Sequence, residues 1–194
     1  MTIEPLLKYM SDYISLTDEE IAYLESKISV RSYLKGQYIV QQGDVCKYSC
    51  FVLSGCTKTF YVDNDGQEHI LMFSIEDWWT SDMGSFVTQT PADFNVQCIE
   101  NTELVMFSYD TIEDLYREIP KLERFFRQII EKGFAASQKR IVRNFSLSAK
   151  EQYLHFREQY PKIEQRIPQY MVASYLGITK EFLSKIKSQL IFEQ

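Results

Sequence analysis

Apolar positions change rhythm twice along this chain. From Thr17 to Ile28 they recur at helical spacing, with Ile21, Leu24 and Ile28 on one face. Thr17 stands as an N-cap and Asp18, Glu19 and Glu20 fill the first turn, so a short amphipathic helix is predicted. From Val30 to about Ser108, short runs rich in Val, Ile, Phe, Tyr and Thr alternate with turn signals at Gly36, Gly43-Asp44, Ser54-Gly55, Asp63-Asn64-Asp65-Gly66 and Pro91. A string of short strands at this spacing predicts a sandwich, jelly roll or small barrel. Its clearest hairpin joins Thr57–Val62 to Glu68–Phe73 through residues that tolerate left-handed backbone angles.

Beyond Asp110 the pattern turns helical as far as about Phe145, with Pro120 opening a long second segment. Leu122, Phe126, Ile129, Gly133 and Ala136 lie at alternating steps of four and three, a heptad-like seam expected to form a dimer interface. A second apolar set, Phe125, Ile130, Phe134, Ile141 and Phe145, lies partly off that seam, so the helix has two surfaces to cover. One fits the strand domain and the other a second copy of the helix. A helix packed only on its own domain is the alternative. Gly133 costs roughly 1 kcal/mol of helix propensity relative to Ala, which suits a close helix approach.

The last stretch predicts short helices over Ala149–Tyr160, Pro168–Leu176 and Thr179–Leu190, with Pro161 closing the first and Pro168 opening the second. Within it, QYMVASYLGITKEFLSKI (Gln169 to Ile186) carries the pattern of a helix-turn-helix. Two steeply crossed helices need a small residue where they touch and a glycine at the turn; Ala173 and Gly177 stand there. Val172, Leu176, Ile178, Leu183 and Ile186 fall at the buried positions, and Thr179 can cap the second helix. A helical hairpin in an ordinary bundle fills some of these positions, but not the full set with a basic outer face. Lys180, Glu181, Ser184 and Lys185 are then the candidates for base edges, and Gln169, Tyr170, Thr179 and Lys187 for phosphates.

Charge supports the assignment only when its distribution is read. The total is -6, but residues 1–136 carry 11 Lys and Arg against 22 Asp and Glu, whereas residues 137–194 carry 10 against 5. A basic tail on an acidic body suits a small DNA-binding module, because phosphate contact needs local positive charge. A hydrophobic share of 45% is ample for packed cores. The N-terminus lacks the pattern of a signal peptide and no long apolar run occurs, so a cytoplasmic protein without membrane contact is expected. Cys46, Cys50, Cys56 and Cys98 are expected as free thiols. The two histidines, His69 and His155, lie far apart, which argues against a multi-histidine metal site and a cupin-like enzyme; no catalytic or metal-ligating residues are expected.

The order of parts resembles the Crp/Fnr family of transcription regulators over nearly the whole chain. The resemblance is strongest at the Gly and Gly-Asp turns between Gly36 and Gly55 and at YLGITKEFLSKI, where that family usually has Leu-Gly, Thr-Arg-Glu and Ser-Arg. Here Lys180 and Lys185 replace the arginines; lysine is a point charge, so bidentate guanine reading weakens and the operator does not carry over. The resemblance implies an α+β chain. Its expected parts are an N-terminal double-stranded β-helix (jelly roll) sensor domain over residues 1–118, a dimerisation helix over 119–145, and a helix-turn-helix domain over 146–194. Because the sequence ends at Gln194, a reduced or absent wing is expected, with Arg166 and Ile167 as one short strand before the motif.

Members that bind cyclic AMP pair its phosphate with an arginine, but here Thr90-Pro91-Ala92-Asp93-Phe94 places Ala92 at that position with Asp93 beside it. A desolvated phosphate would lack its countercharge, so the sequence speaks against a cyclic nucleotide. Asp82 can stand in for the family's ribose-binding glutamate. Trp78, Trp79, Asp82, Phe86, Ala92, Asp93 and Phe94 are the effector-pocket candidates, with plain core packing as the other reading of the aromatics. The cysteines lie in the strand region without a Cys-x-x-Cys pair, against an iron-sulfur cluster. Implied partners are double-stranded DNA, a second copy of the chain, a small-molecule effector and RNA polymerase. The competing reading is a non-catalytic sensor or interaction module that does not read DNA.

Overall fold

The computed structural model describes residues 2–192. Two N-terminal helices, α1 (Glu4–Ser11) and α2 (Asp18–Lys27), precede eight strands: β1 (Ser29–Tyr33), β2 (Tyr38–Val40), β3 (Tyr48–Ser54), β4 (Thr57–Val62), β5 (Glu68–Ser74), β6 (Trp79–Thr80), β7 (Asn95–Cys98) and β8 (Thr102–Ser108). A short helix α3 (Met83–Thr88) interrupts the strands, and α4 (Tyr109–Glu118), α5 (Lys121–Ser146), α6 (Ala149–Gln159), α7 (Pro161–Arg166), α8 (Gln169–Leu176) and α9 (Lys180–Phe192) follow. The strands form two antiparallel four-stranded sheets, ordered β1-β8-β3-β6 and β2-β7-β4-β5, one of the architectures the strand spacing allows and the jelly roll that the resemblance implies. Thr17 caps α2 in a reciprocal capping box with Glu20, and the Thr57–Val62 hairpin pairs as expected.

Burial along β3 does not alternate: Ser49 to Val52 are all buried. Such a strand is covered on both faces. Cys50 and Val52 join Leu104, Met106 and Cys98 in a small cluster, whereas Phe51 joins Val105 and Phe107 in a second cluster with Leu6, Met10, Leu24, Leu115, Leu122 and Phe125 from the helices. Gly55 makes the β3–β4 turn with φ +98°, and a Cβ there would sit 2.5 Å from the Asn101 carbonyl oxygen, so only glycine fits.

A third buried cluster joins the two ends of the chain. Ile70, Phe73 and Ile75 of the sensor pack with Phe156, Ile163, Met171, Val172, Leu183 and Ile186 of the C-terminal helices. The C-terminal helices therefore share a core with the second sheet of the strand domain.

Two expectations are corrected here. Leu122 and Phe126 are buried in the helix-side core of their own chain and Ile129 is half-buried against it, so of the seam expected to dimerise only Gly133 and Ala136 are exposed. The exposed apolar face of α5 is instead Ile130, Phe134, Ile141, Val142 and Phe145, the last 88% exposed. Arg166 does not form a wing strand: it closes α7, and no strand is found after β8 among the described residues. Ile167 alone keeps an extended backbone.

Candidate DNA-binding surface and sensor cavity

The turn between α8 and α9 is built as its sequence requires. Gly177, at φ +68°, ends α8 in the left-handed region, and the Ile178 N–H donates to the Ala173 carbonyl at 3.0 Å. The Thr179 hydroxyl then accepts the Phe182 N–H at 3.1 Å and caps α9. Ala173, Val172, Leu183 and Ile186 are buried together, which fixes the crossing of the two helices.

With Leu183 and Ile186 turned inward, the face that α9 presents to solvent carries Lys180, Glu181, Ser184 and Lys185, all exposed. Neither lysine is ion-paired among the described residues, which leaves both charges free for a partner. Tyr170 and Thr179 are exposed and Gln169 is half-buried at the start of α8. Lys187 differs: it is half-buried, and its ammonium lies 4.0 Å from a Glu164 carboxylate oxygen inside the domain. Phe182, 47% exposed in the first turn of α9, was not picked out from the sequence. Its signal was present as an apolar residue off the buried period of the helix.

Three polar side chains dock this unit on the sensor. Arg166 donates to Glu100 at 2.6 and 3.0 Å, to Glu76 at 2.7 and 3.0 Å, and to the Gly55 carbonyl at 2.8 Å. The two carboxylates raise the guanidinium pKa further. Burial pushes the Glu76 carboxyl up, but the Arg166 bonds and the Gly55 N–H outweigh it and hold it below its usual value. Ser174 of α8 meets β5, the outer strand of its sheet: its hydroxyl donates to the Glu68 carbonyl at 2.8 Å and accepts the Ile70 N–H at 3.1 Å. Arg140 of α5 donates to the Leu71, Ile70 and Tyr175 carbonyls and lies over the Tyr175 ring. Together they satisfy an edge strand that would otherwise present bare backbone.

Between the sensor, α5 and the C-terminal helices lies a half-open cavity of about 870 Å³. Of the expected pocket residues, Trp78 and Phe94 line it. The others do not. Trp79 packs among Phe51, Phe107, Phe125 and Phe126 at centroid distances of 5.1 to 6.3 Å, and Phe86 and Ala92 lie in the same core. Asp93 is exposed away from the cavity lining. Asp82 is buried, with one oxygen capping α3 through the Ser85 N–H at 2.9 Å and the other accepting the Asp93 and Phe94 N–H groups at 2.9 and 3.0 Å. Its lone pairs hold the loop together, so it stabilises the segment and does not face a ligand. The cavity's polar side chains come mainly from α5: Lys132, Lys139, Arg140 and Arg143.

All four cysteines are buried free thiols whose pKa values burial pushes up, Cys56 to about 12. Reactive and metal-binding cysteines are shifted the other way. Among the described residues no group of three or more His, Cys, Asp or Glu is placed to hold a metal ion, and no helix is long and apolar enough to cross a membrane.

Fold and surfaces define a class: a β-roll sensor joined through a long helix to a helix-turn-helix. Residues 30–118 match the cyclic nucleotide-binding domain family. The regulatory protein HlyX of Actinobacillus pleuropneumoniae is 23% identical over 187 residues, covering 89% of this chain and 76% of that protein. The transcriptional activator protein Anr of Pseudomonas aeruginosa is 24% identical over 130 residues, 66% of this chain, and the match spans 52% of that relative's length. Among solved structures, FixK2 from Bradyrhizobium japonicum superposes with a TM-score of 0.75 at 16% identity, covering 86% of this chain and 85% of its own. The c-di-GMP-responsive regulator CLP of Xanthomonas campestris gives 0.72 at 18% identity, with 91% and 93% covered. The chain thus carries a cyclic nucleotide-binding domain over residues 30–118 and is similar over most of its length to regulators of the Crp/Fnr type.

Proposed function

We propose that this protein is a cytoplasmic, sequence-specific DNA-binding transcription regulator of the Crp/Fnr type, not an enzyme, with residues 1–118 as sensor, 119–145 as dimerisation helix and 146–194 as DNA reader. The observation that carries the reading is the complete helix-turn-helix, whose α9 exposes Lys180, Glu181, Ser184 and Lys185 while burying Leu183 and Ile186. Lysine donates to guanine O6 and N7 and glutamate accepts from cytosine N4; Phe182 adds an apolar surface suited to a thymine methyl. Tyr170, Gln169 and Thr179 serve the phosphates, and Lys187 joins them only if it leaves Glu164.

Two copies joined along Ile130, Phe134, Ile141 and Phe145 present two recognition helices to a site with two-fold symmetry. RNA polymerase is the partner that the resemblance to the Crp/Fnr family implies. The sensor's ligand is a small molecule in the cavity beside Trp78 and Phe94, and it is not cyclic AMP, because Ala92 lies in the core and no sensor-strand arginine faces the cavity. A ligand that favours one disposition of the helices shifts the dimer toward it.

Selection of bound sequences from a random duplex pool tests the reading. A symmetric site is expected, lost when Lys180 and Lys185 are both changed to Ala; recovery of nothing above background would favour the interaction-module alternative. Calorimetry with cyclic AMP should show no tight binding.

A further inference from the structure

The large cavity shares Arg140, Arg143, Phe156, Tyr160 and Tyr175 with a second, small chamber of about 30 Å³ at the joint between α5 and the DNA-binding helices. Asn144, Gln152 and His155 complete its polar wall. Neither chamber has a carboxylate in its lining, in a chain whose total charge is -6. His155 Nε2 is buried there without a hydrogen-bond partner. Arg140 spends its donors on backbone carbonyls, but Arg143 and Lys139 have no carboxylate partner among the described residues. A buried unpaired nitrogen is costly, the half-buried Arg143 guanidinium beside it has its donors available, and one anionic group with two oxygens serves both.

We propose that this joint is the anionic end of the effector site and takes the carboxylate of a flat aromatic acid. The inference rests on the reading of the chain as an effector-controlled regulator. Size selects the head group: a water-sized position needs at least about 10–15 Å³, so the small chamber holds about two, which matches the two oxygens of a carboxylate. The ring system occupies the larger chamber, against Phe94 of the sensor and the pair formed by Trp78 and Tyr160, whose rings meet edge-on at 5.7 Å across the joint. Gly133 and Ala136 on the α5 side leave the room for it. Arg143 of α5 and His155 of α6 then grip one ligand, so its binding fixes the angle between the long helix and the reader directly.

Calorimetry of the full chain with a naphthoate and with its uncharged naphthamide tests this. The naphthoate should bind at least about tenfold more tightly. Arg143→Gln should bring it down to the level of the naphthamide without changing the latter, Arg143→Lys should restore part of the difference, and His155→Phe should remove part of it. Equal affinity for the two compounds, a preference that survives Arg143→Gln, or no naphthoate binding at millimolar concentration would each overturn the proposal. Binding of the selected duplex by the same preparation separates the failures: retained DNA binding sinks only the carboxylate site, whereas its loss sinks the regulator reading itself.

Discussion

The two halves of α5 carry similar numbers of large apolar side chains and treat them oppositely. In the first half, Leu122, Phe125 and Phe126 are buried among Phe51, Trp79 and Phe107 of the sensor. In the second, Ile130, Phe134, Ile141 and Phe145 are exposed, at steps of four, seven and four, and no residue is buried. The helix thus changes its neighbour near Ile129: the first half is anchored in the sensor, and the second projects beyond it with Arg140 as its hold on β5.

The comparison breaks most sharply at Phe126. Phe126→Ala should destabilise the chain by roughly 3–5 kcal/mol, as for other buried aromatics, seen as a lower urea midpoint. Ordinary stability after this change would mean that the first half is not anchored. The double change Phe134→Glu with Ile141→Glu should leave the urea midpoint of the sensor nearly unmoved yet give monomers in sedimentation. DNA affinity should then fall about a hundredfold or more, because two linked readers become one. An intact dimer would place the interface elsewhere.

That contrast explains what could be read in advance and what could not. Capping of α2 by Thr17, the β4–β5 hairpin and the Ala173–Gly177 turn were legible because each is set by residues within a few positions of one another. The heptad of α5 was legible as a pattern but not as a direction, since spacing shows that a face is covered and not by what. The short α3 leaves little trace in the sequence pattern: its cap, Asp82, looks like a ligand-facing acid, but its carboxylate is consumed by the Ser85, Asp93 and Phe94 N–H groups. The placing of Arg166 and Ser174 was not legible because their partners are 66 to 111 residues away in the chain. On α9 the exposed set was largely legible and the cavity lining was not, since only Trp78 and Phe94 of seven candidates reach the cavity.

Smaller effects sharpen the picture at the docking side of the second half. Arg166→Ala removes the clamp on Glu76, Glu100 and the Gly55 carbonyl. It should cost about 1–3 kcal/mol and speed proteolysis in the linker after α5, while dimerisation along the exposed seam persists. Unchanged proteolysis would show that the apolar cluster alone holds the reader on the sensor.

The smallest expected effect is a pH dependence of the same clamp. Glu76 has its carboxyl held below the usual value in the docked state, with Arg166 the main opposing influence to burial. A carboxylate depressed in this way adds stability that is present above its undocked pKa and is lost as pH falls through its docked value. The docking should therefore loosen in acid, below the ordinary carboxylate range, and be unaffected around neutrality. Glu76 is 39% exposed at its side chain, so solvent screens the pair and the contribution should stay under about 1 kcal/mol. The first half of α5 supplies the internal control. Around Phe126 its contacts to the sensor are apolar rings and aliphatic chains, and the Lys121–Glu20 pair, whose Glu20 carboxyl is also held below its usual value, stands apart at the start of the helix. Hydrogen exchange measured from neutral pH down through and below the ordinary carboxylate range should show α8 amides losing protection before those around Phe126, and Glu76→Gln should remove that difference. Simultaneous loss in both regions would mean that acid acts on the whole fold and not on the joint.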